Sequence, residues 1–241
     1  MNTEHLPFNM PSRSWALNQN WVNLTFMHWE VEHDLLEKYI PEDLELERYD
    51  GKTYVGTIPF RMEKVRPKYL PSVPFISNFA EFNIRTYVVK NGISGVLFLT
   101  LDAKSRITSM YAPWAYGLPY VYADGEVKDN YEGGFTWKSK RKSNGLGIKG
   151  SSKPNGNLRK AKKGSLEEFL FERYCLYVTY KNKTHIAYTC HEKWEFQDAT
   201  ANLEMNTLTE FYELGITNVL KPDLVHISKG VEVRTWSIEE A

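Results

Sequence analysis

Cysteine is scarce. Cys175 and Cys190 are the only two in 241 residues, and neither stands in a C-x-x-C. One bridge between them is conceivable, but two cysteines in a chain this long read better as small apolar residues in a reducing compartment. The six histidines are scattered: His185 and His191 share a strand six residues apart, and no H-x-H or H-x-x-x-H spacing occurs. No metal site is expected. No segment approaches the ~20 apolar residues of a bilayer span, so no membrane partner is expected. Residues 1–15 carry Glu4, Pro7 and Pro11 and lack a basic cap before an apolar stretch, so they do not read as a signal peptide. The expectation is a cytoplasmic protein. A G-x-S-x-G nucleophile elbow is absent, and no charge of one sign dominates, with 30 Lys+Arg against 30 Asp+Glu.

What the chain does have is aromatic and apolar mass. It carries 7 Trp, 15 Tyr and 12 Phe, and 42% of its residues are hydrophobic, which excludes a wholly disordered chain. Short segments rich in β-branched and aromatic residues alternate with turn chemistry. Residues 21–26 read as a strand. Residues 44–49 and 53–60 flank Asp50-Gly51, residues 82–89 and 96–101 flank Asn91-Gly92, and residues 120–123 and 126–130 flank Asp124-Gly125, which suggests three hairpins. Further strands are expected at residues 175–180, 184–195, 224–228 and 231–236, about ten in all. Helix starts are marked by Ser165 with Glu168 and by Thr207 with Glu210, the spacing of a capping box, and residues 34–38 suggest one more short helix. There is no internal repeat and no long linker. The pattern predicts a mainly β (α+β) fold: one domain over residues 1–241, a single closed antiparallel β-barrel with a few flanking short helices.

The balanced charge conceals a split. Residues 133–164 hold ten basic and no acidic side chains, so the remainder is acidic. Gly145, Gly147 and Gly150 match G-x-G-x-x-G inside this tract, but basic polar residues precede them and a Ser/Pro/Asn run follows. Neither flank supplies the strand and helix that a dinucleotide site needs. No cofactor is expected. The tract could neutralise phosphates, yet its aromatics, Phe135 and Trp137, stand at one end only. A basic loop at about 138–164, or an extended hairpin joining two barrel strands, is the favoured reading over nucleic-acid binding.

Residues 81–88 form an informative strand. Alternation puts Glu81, Asn83, Arg85 and Tyr87 on one face and Phe82, Ile84, Thr86 and Val88 on the other. From periodicity alone the polar stripe reads as a solvated surface. If the barrel is closed with its apolar face under helices, the same stripe lines the interior, where a Glu and an Arg could hold a carboxylate and move a proton.

Five segments together carry a family resemblance: EFNIRTYV from Glu81, Gly95-Val96 with Leu101-Asp102, YGLPY from Tyr116, SLEEFLFERYCLY from Ser165, and HEKW from His191. In order and spacing they resemble the bacterial YqjF-like family, over roughly residues 21–236, and that family is allied in fold to acetoacetate decarboxylase. The decarboxylases are similar to this chain in an I-P-E-D-L-like turn (Ile40 to Leu44), an acid after an aromatic (Phe79-Ala80-Glu81) and an H-E-x-W segment. Their Y-G-F-P-K-K motif follows an arginine by three residues, and its first lysine forms an imine with the keto acid. Here YGLP is followed by Tyr120-Val121, and Pro113 stands at the arginine position.

The resemblance therefore implies a cone-like barrel with an internal cavity that the stripe faces, Glu81 as the matching active-site acid and Tyr120 near the reactive end, without imine chemistry. Tyr120 would donate a hydrogen bond to a carbonyl or enolate, act as an acid–base group if its pKa is lowered, or simply pack the core. His191 and Trp194 are expected to pack the barrel, and Glu172 with Arg173 to form an ion pair or cap. The leading expectation is a small-molecule ligand, a carboxylate or carbonyl compound, with Glu81 and Tyr120 as catalytic candidates and Arg85, Asn83 and Tyr87 as ligand-binding ones. The alternatives are a non-catalytic sensor or carrier with the same pocket and an acidic partner on the basic loop. A homo-oligomer is left open.

Overall fold

The computed structural model describes residues 3–241, save the side chains of Pro74, Phe75, Tyr111, Trp114 and Ala115. In chain order the elements are β1 (Leu17–Val31), α1 (His33–Glu37), β2 (Glu45–Leu46), β3 (Thr53–Pro67), α2 (Pro74–Ser77), β4 (Phe79–Lys90), β5 (Ile93–Ala103), α3 (Arg106–Tyr116) and β6 (Tyr120–Asp129). There follow β7 (Phe135–Arg141), β8 (Gly147–Pro154), α4 (Leu166–Phe171), β9 (Cys175–Tyr180), β10 (Lys183–His191), β11 (Gln197–Asn206), α5 (Thr207–Glu210), β12 (Leu224–Thr235) and β13 (Glu239–Glu240).

Nine strands close into a ring in the order β5-β6-β7-β8-β11-β12-β1-β3-β4 and back to β5. β9 and β10 lie outside it and link β5 to β12, so β5 and β12 each have three neighbours. β1, β3 and β4 become a shared wall with apolar packing on both faces. One face meets Phe135, Trp137 and Ile148 inside the ring, through Met27, Trp29, Val55, Phe82 and Ile84. The other face meets Leu170, Phe171 and Trp194, through Phe26, Ile58, Phe60 and Tyr87. Burial on both sides is why β4 is buried from Phe79 through Val88, and why its polar stripe is not the solvated face that periodicity suggests.

The barrel is mixed rather than antiparallel. β5 runs parallel to β6 and to β9. Parallel neighbours need a crossover, and residues 104–119, containing α3, supply it between β5 and β6. Sequence reading overlooked α3, though its signals are present: Ser105 accepts a hydrogen bond from Thr108 N–H as N-cap, and Gly117 ends the helix in the left-handed region.

Two expected hairpins change form. Asn91-Gly92 does turn β4 into β5. Asp50-Gly51 is a tight turn closed only by Tyr49 and Lys52, because β2 pairs with β4 instead. Asp124-Gly125 is no turn at all but the middle of β6. Gly125 is there for space, since a Cβ on it would lie 2.7 Å from Phe82 Cε2. The stretches 224–228 and 231–236 are largely one strand, β12.

The basic loop is also corrected. Residues 135–141 and 147–154 are β7 and β8, two staves of the ring. Phe135, Trp137, Ser139 and Arg141 are buried while Thr136, Lys138 and Lys140 face solvent, so lysine at alternate positions disguised a half-buried strand. Gly147 and Gly150 sit within β8, where a Cβ would meet Ser139 O at 2.1 Å and Asn202 O at 2.5 Å respectively. They permit close strand packing and build no phosphate cradle. Ser165 caps α4 as expected, whereas α5 is capped by Asn206, one residue before the expected threonine.

Candidate functional site

Glu81, Asn83, Arg85 and Tyr87 point from β4 into the second compartment, and all four are buried. β5 separates β4 from the start of β6, with Leu101 opposite both Asn83 and Tyr120 and Ala103 opposite Glu81. The single methyl of Ala103 leaves room for the Tyr120 ring to lean across. Its hydroxyl donates to Glu81 Oε2 at 2.7 Å.

Burial pushes the Glu81 carboxyl up to about 7. Hydrogen bonds from Tyr120 and Asn83 oppose the shift, and the charge of Asp102 on the other face of the sheet adds to it. Burial and the neighbouring carboxylate drive the Tyr120 phenol well above its usual value. Tyr120 is thus a hydrogen-bond donor at neutral pH, not a base, and Glu81 is the member of the pair with a pKa near neutrality. Asn83 Oδ1 is buried with no partner among the described residues.

Arg85 and Tyr87 form a second group further along the strand. Arg85 Nη2 donates to the Leu170 carbonyl at 2.8 Å, and Tyr87 donates to the same oxygen at 3.2 Å. His28 Nε2 lies 2.8 Å from the Tyr87 hydroxyl. Since Tyr87 gives its hydrogen to Leu170, His28 donates from Nε2 and its Nδ1 is left bare, matching that atom's lack of a partner. Burial first, then the charges of Arg85 and His226, hold the His28 pKa well below its usual value, so the ring is neutral. The Arg85 guanidinium rests 5.8 Å from the Phe26 ring centroid, and its Nε is buried without a partner. The neighbouring Arg173 is paired with Glu47 at 2.5 Å; among the described residues no such carboxylate pairs with Arg85.

Other expected contacts resolve differently. Glu172 and Arg173 form no ion pair with each other, since Glu172 accepts from Tyr174 and from the Trp194 N–H. The cap is present: Glu172 is the C-cap residue of α4, and Arg173 Nε donates to the Phe169 carbonyl at 2.6 Å. His191 and Trp194 pack in an aromatic group with Trp21, as expected. Both cysteines are free and buried. His33, Asp34 and Glu37 on α1 bring three potential ligand atoms within 4.8 Å of one another at the surface, a grouping the histidine spacing did not signal. Sequence reading also missed His28, and the Arg141–Asp102 pair inside the ring, where Arg141 Nε donates at 2.8 Å to Asp102 Oδ2 and Nη2 at 2.7 Å to Oδ1. A lone acid ending the apolar run 96–101 was the available clue.

Comparison with known proteins gives the following. The DUF2071 family, described as an uncharacterized conserved protein, matches residues 18–232. The chain is 34% identical over 233 residues to "Uncharacterized protein YqjF" of Bacillus subtilis (strain 168), covering 96% of this chain and 95% of that protein. Acetoacetate decarboxylase from Legionella pneumophila matches in structure with a TM-score of 0.65 at 13% identity, covering 99% of this chain and 93% of the other. The enduracididine biosynthesis enzyme MppR complexed with pyruvate matches with a TM-score of 0.57 at 12% identity, covering 98% and 91%. The last two likenesses show a shared fold.

Proposed function

The chain belongs to the DUF2071 family, and we propose that it binds a small organic carboxylate or carbonyl compound in the second compartment and handles it by non-covalent acid–base chemistry. The observation that carries this is the buried Glu81–Tyr120 pair. A carboxyl poised at about 7 accepts or returns a proton at neutral pH. The phenol beside it, which keeps its hydrogen, suits a carbonyl or enolate oxygen. Arg85, a buried cation with an unpartnered Nε and no paired carboxylate, suits the anionic end of the ligand. That the MppR structure holds pyruvate supports the same ligand class.

An imine route is not proposed, because Tyr120 stands where the decarboxylase resemblance places the reactive lysine. Four residues of strand separate Glu81 from Arg85, about 13 Å between Cα atoms. A ligand that reaches both is longer than a three-carbon 2-oxo acid. A nucleic-acid partner for the basic tract is disfavoured by its pairing: Lys138 with Glu126, Lys149 with Glu204, Lys153 with Glu132 and Arg159 with Asp198.

The test is binding and turnover of 2-oxo and 3-oxo acids of increasing chain length, followed by calorimetry and NMR. Binding should weaken at least tenfold in Arg85→Met, and any conversion should be lost in Glu81→Gln with binding retained. Borohydride treatment should leave no lysine adduct. Equal binding by Arg85→Met would remove the anion anchor, and a stable adduct would refute the non-covalent chemistry. Binding without conversion by the native protein would favour the sensor or carrier reading of the same site.

A further inference from the structure

The two segments that bracket the N-terminal end of β4 have an unusual composition. Residues 64–80 and 103–123 contain Lys64, Arg66, Lys68, Lys104 and Arg106 and not one Asp or Glu. They meet at the start of β4, where Lys104 N–H donates to the Ala80 carbonyl at 3.0 Å, beside the bond that closes the first segment on itself, Lys64 N–H to Asn78 Oδ1 at 2.8 Å. Large apolar side chains stand out from both. Tyr69 is 88% and Met110 77% exposed, and Leu70, Val73, Ile76 and Ile107 are also exposed. Among the described residues, Lys104 is the only one of the five cations that is ion-paired, with Asp124 at 2.9 Å. Lys68 lies 4.8 Å from the Tyr69 ring centroid.

We propose that this face, residues 64–73 and Ile76 with 104–110, docks on an anionic lipid surface. Apolar side chains protruding among cations, with an aromatic beside a lysine, match the acyl, headgroup and phosphate levels of a bilayer interface. A second copy of the chain is the competing occupant, and charge decides against it. A two-fold contact would set this patch against itself, facing cations with cations, and the acid beside it, Asp124, is already paired with Lys104. The contact is superficial, since no helix among the described residues is long and apolar enough to cross a membrane. It departs from the sequence expectation of no membrane partner, which rested on spanning segments. The inference is independent of the Glu81 site.

Flotation with vesicles of phosphatidylcholine alone and of phosphatidylcholine mixed with phosphatidylglycerol tests it. The protein should float with the mixed vesicles and lose affinity as salt rises. Arg66→Gln and Arg106→Gln should each weaken binding about fivefold, equivalent to about 1 kcal/mol per cation. The combination Leu70→Glu, Ile107→Glu and Met110→Glu should abolish flotation while leaving the thermal midpoint unchanged. Because Cys175 and Cys190 are buried, a polarity-sensitive dye on Tyr69→Cys reports the contact selectively and should shift to the blue on mixed vesicles only. No flotation by the native protein would overturn the proposal. So would undiminished flotation of the triple variant, or a dye shift that follows protein concentration in the absence of lipid, the mark of a second copy.

Discussion

Tyr120 donates to Glu81 across 2.7 Å, joining the first residue of β6 to a carboxyl on β4 two strands away. The relationship sets the protonation behaviour of both groups. Glu81 titrates near neutrality because it is buried, and Tyr120 stays a phenol because it is buried beside Glu81.

Stability should therefore fall as pH rises. Glu81 has a folded pKa of about 7 against about 4.3 when unfolded. Between those values the unfolded chain has released a proton that the folded one keeps, so the loss begins near the unfolded value and is complete above the folded one. Glu81→Gln, whose amide oxygen still accepts from Tyr120, should match the native protein near pH 4 and exceed it by up to about 3 kcal/mol at pH 8. Urea titrations of both proteins at the two pH values measure this.

Tyr120→Phe should raise the Glu81 pKa further, since the lost hydrogen bond favours the carboxylate. The midpoint of the Glu81 carboxyl carbon signal in a ¹³C NMR pH titration should move upward. A midpoint unmoved or lowered would mean that the phenol does not stabilise the anion.

Asp102 and Arg141 tie β5 to β7 inside the ring, with Thr100 accepting from the same guanidinium at 2.6 Å. Asp102→Ala strands a buried cation and should cost about 3–5 kcal/mol. Replacing both partners, Asp102→Leu with Arg141→Met, should cost less than the single change. Denaturant unfolding of the two variants gives the comparison.

Gly125→Ala should destabilise by about 1–3 kcal/mol through overpacking, because its methyl would press on Phe82 Cε2. Adding Phe82→Leu should recover part of the loss. A turn glycine would not respond to Phe82 in this way, so the double-mutant coupling separates the two roles.

Much of the site was legible beforehand. The alternation from Glu81 to Val88 showed which side chains share a face of β4, although the polar stripe meets neither water nor the ring interior but the second core outside the ring. The decarboxylase resemblance implied Tyr120 and Glu81 at one end, and they are hydrogen-bonded. Arg85 and Glu81, expected to serve one small ligand end to end, lie in separate polar groups, because a strand advances about 3.3 Å per residue. His28 was passed over, since a lone histidine in an aromatic strand carries no spacing signal. It became part of a polar group only when β1 came alongside β3 and β4.

Local chemistry in the chain determined which segments are extended, where Asn91-Gly92 turns, how Ser165 starts a helix and which side chains share a face. Those are properties of neighbouring residues, fixed by backbone sterics and period-two geometry. Whether a face meets water or a second core was decided by the closed ring and by the bridge of β9 and β10 between β5 and β12. Burial on both faces of β4 is a non-local fact, set by strands up to about 150 residues away in sequence. The sequence supplies the carboxyl at residue 81, and that burial raises its pKa to about 7.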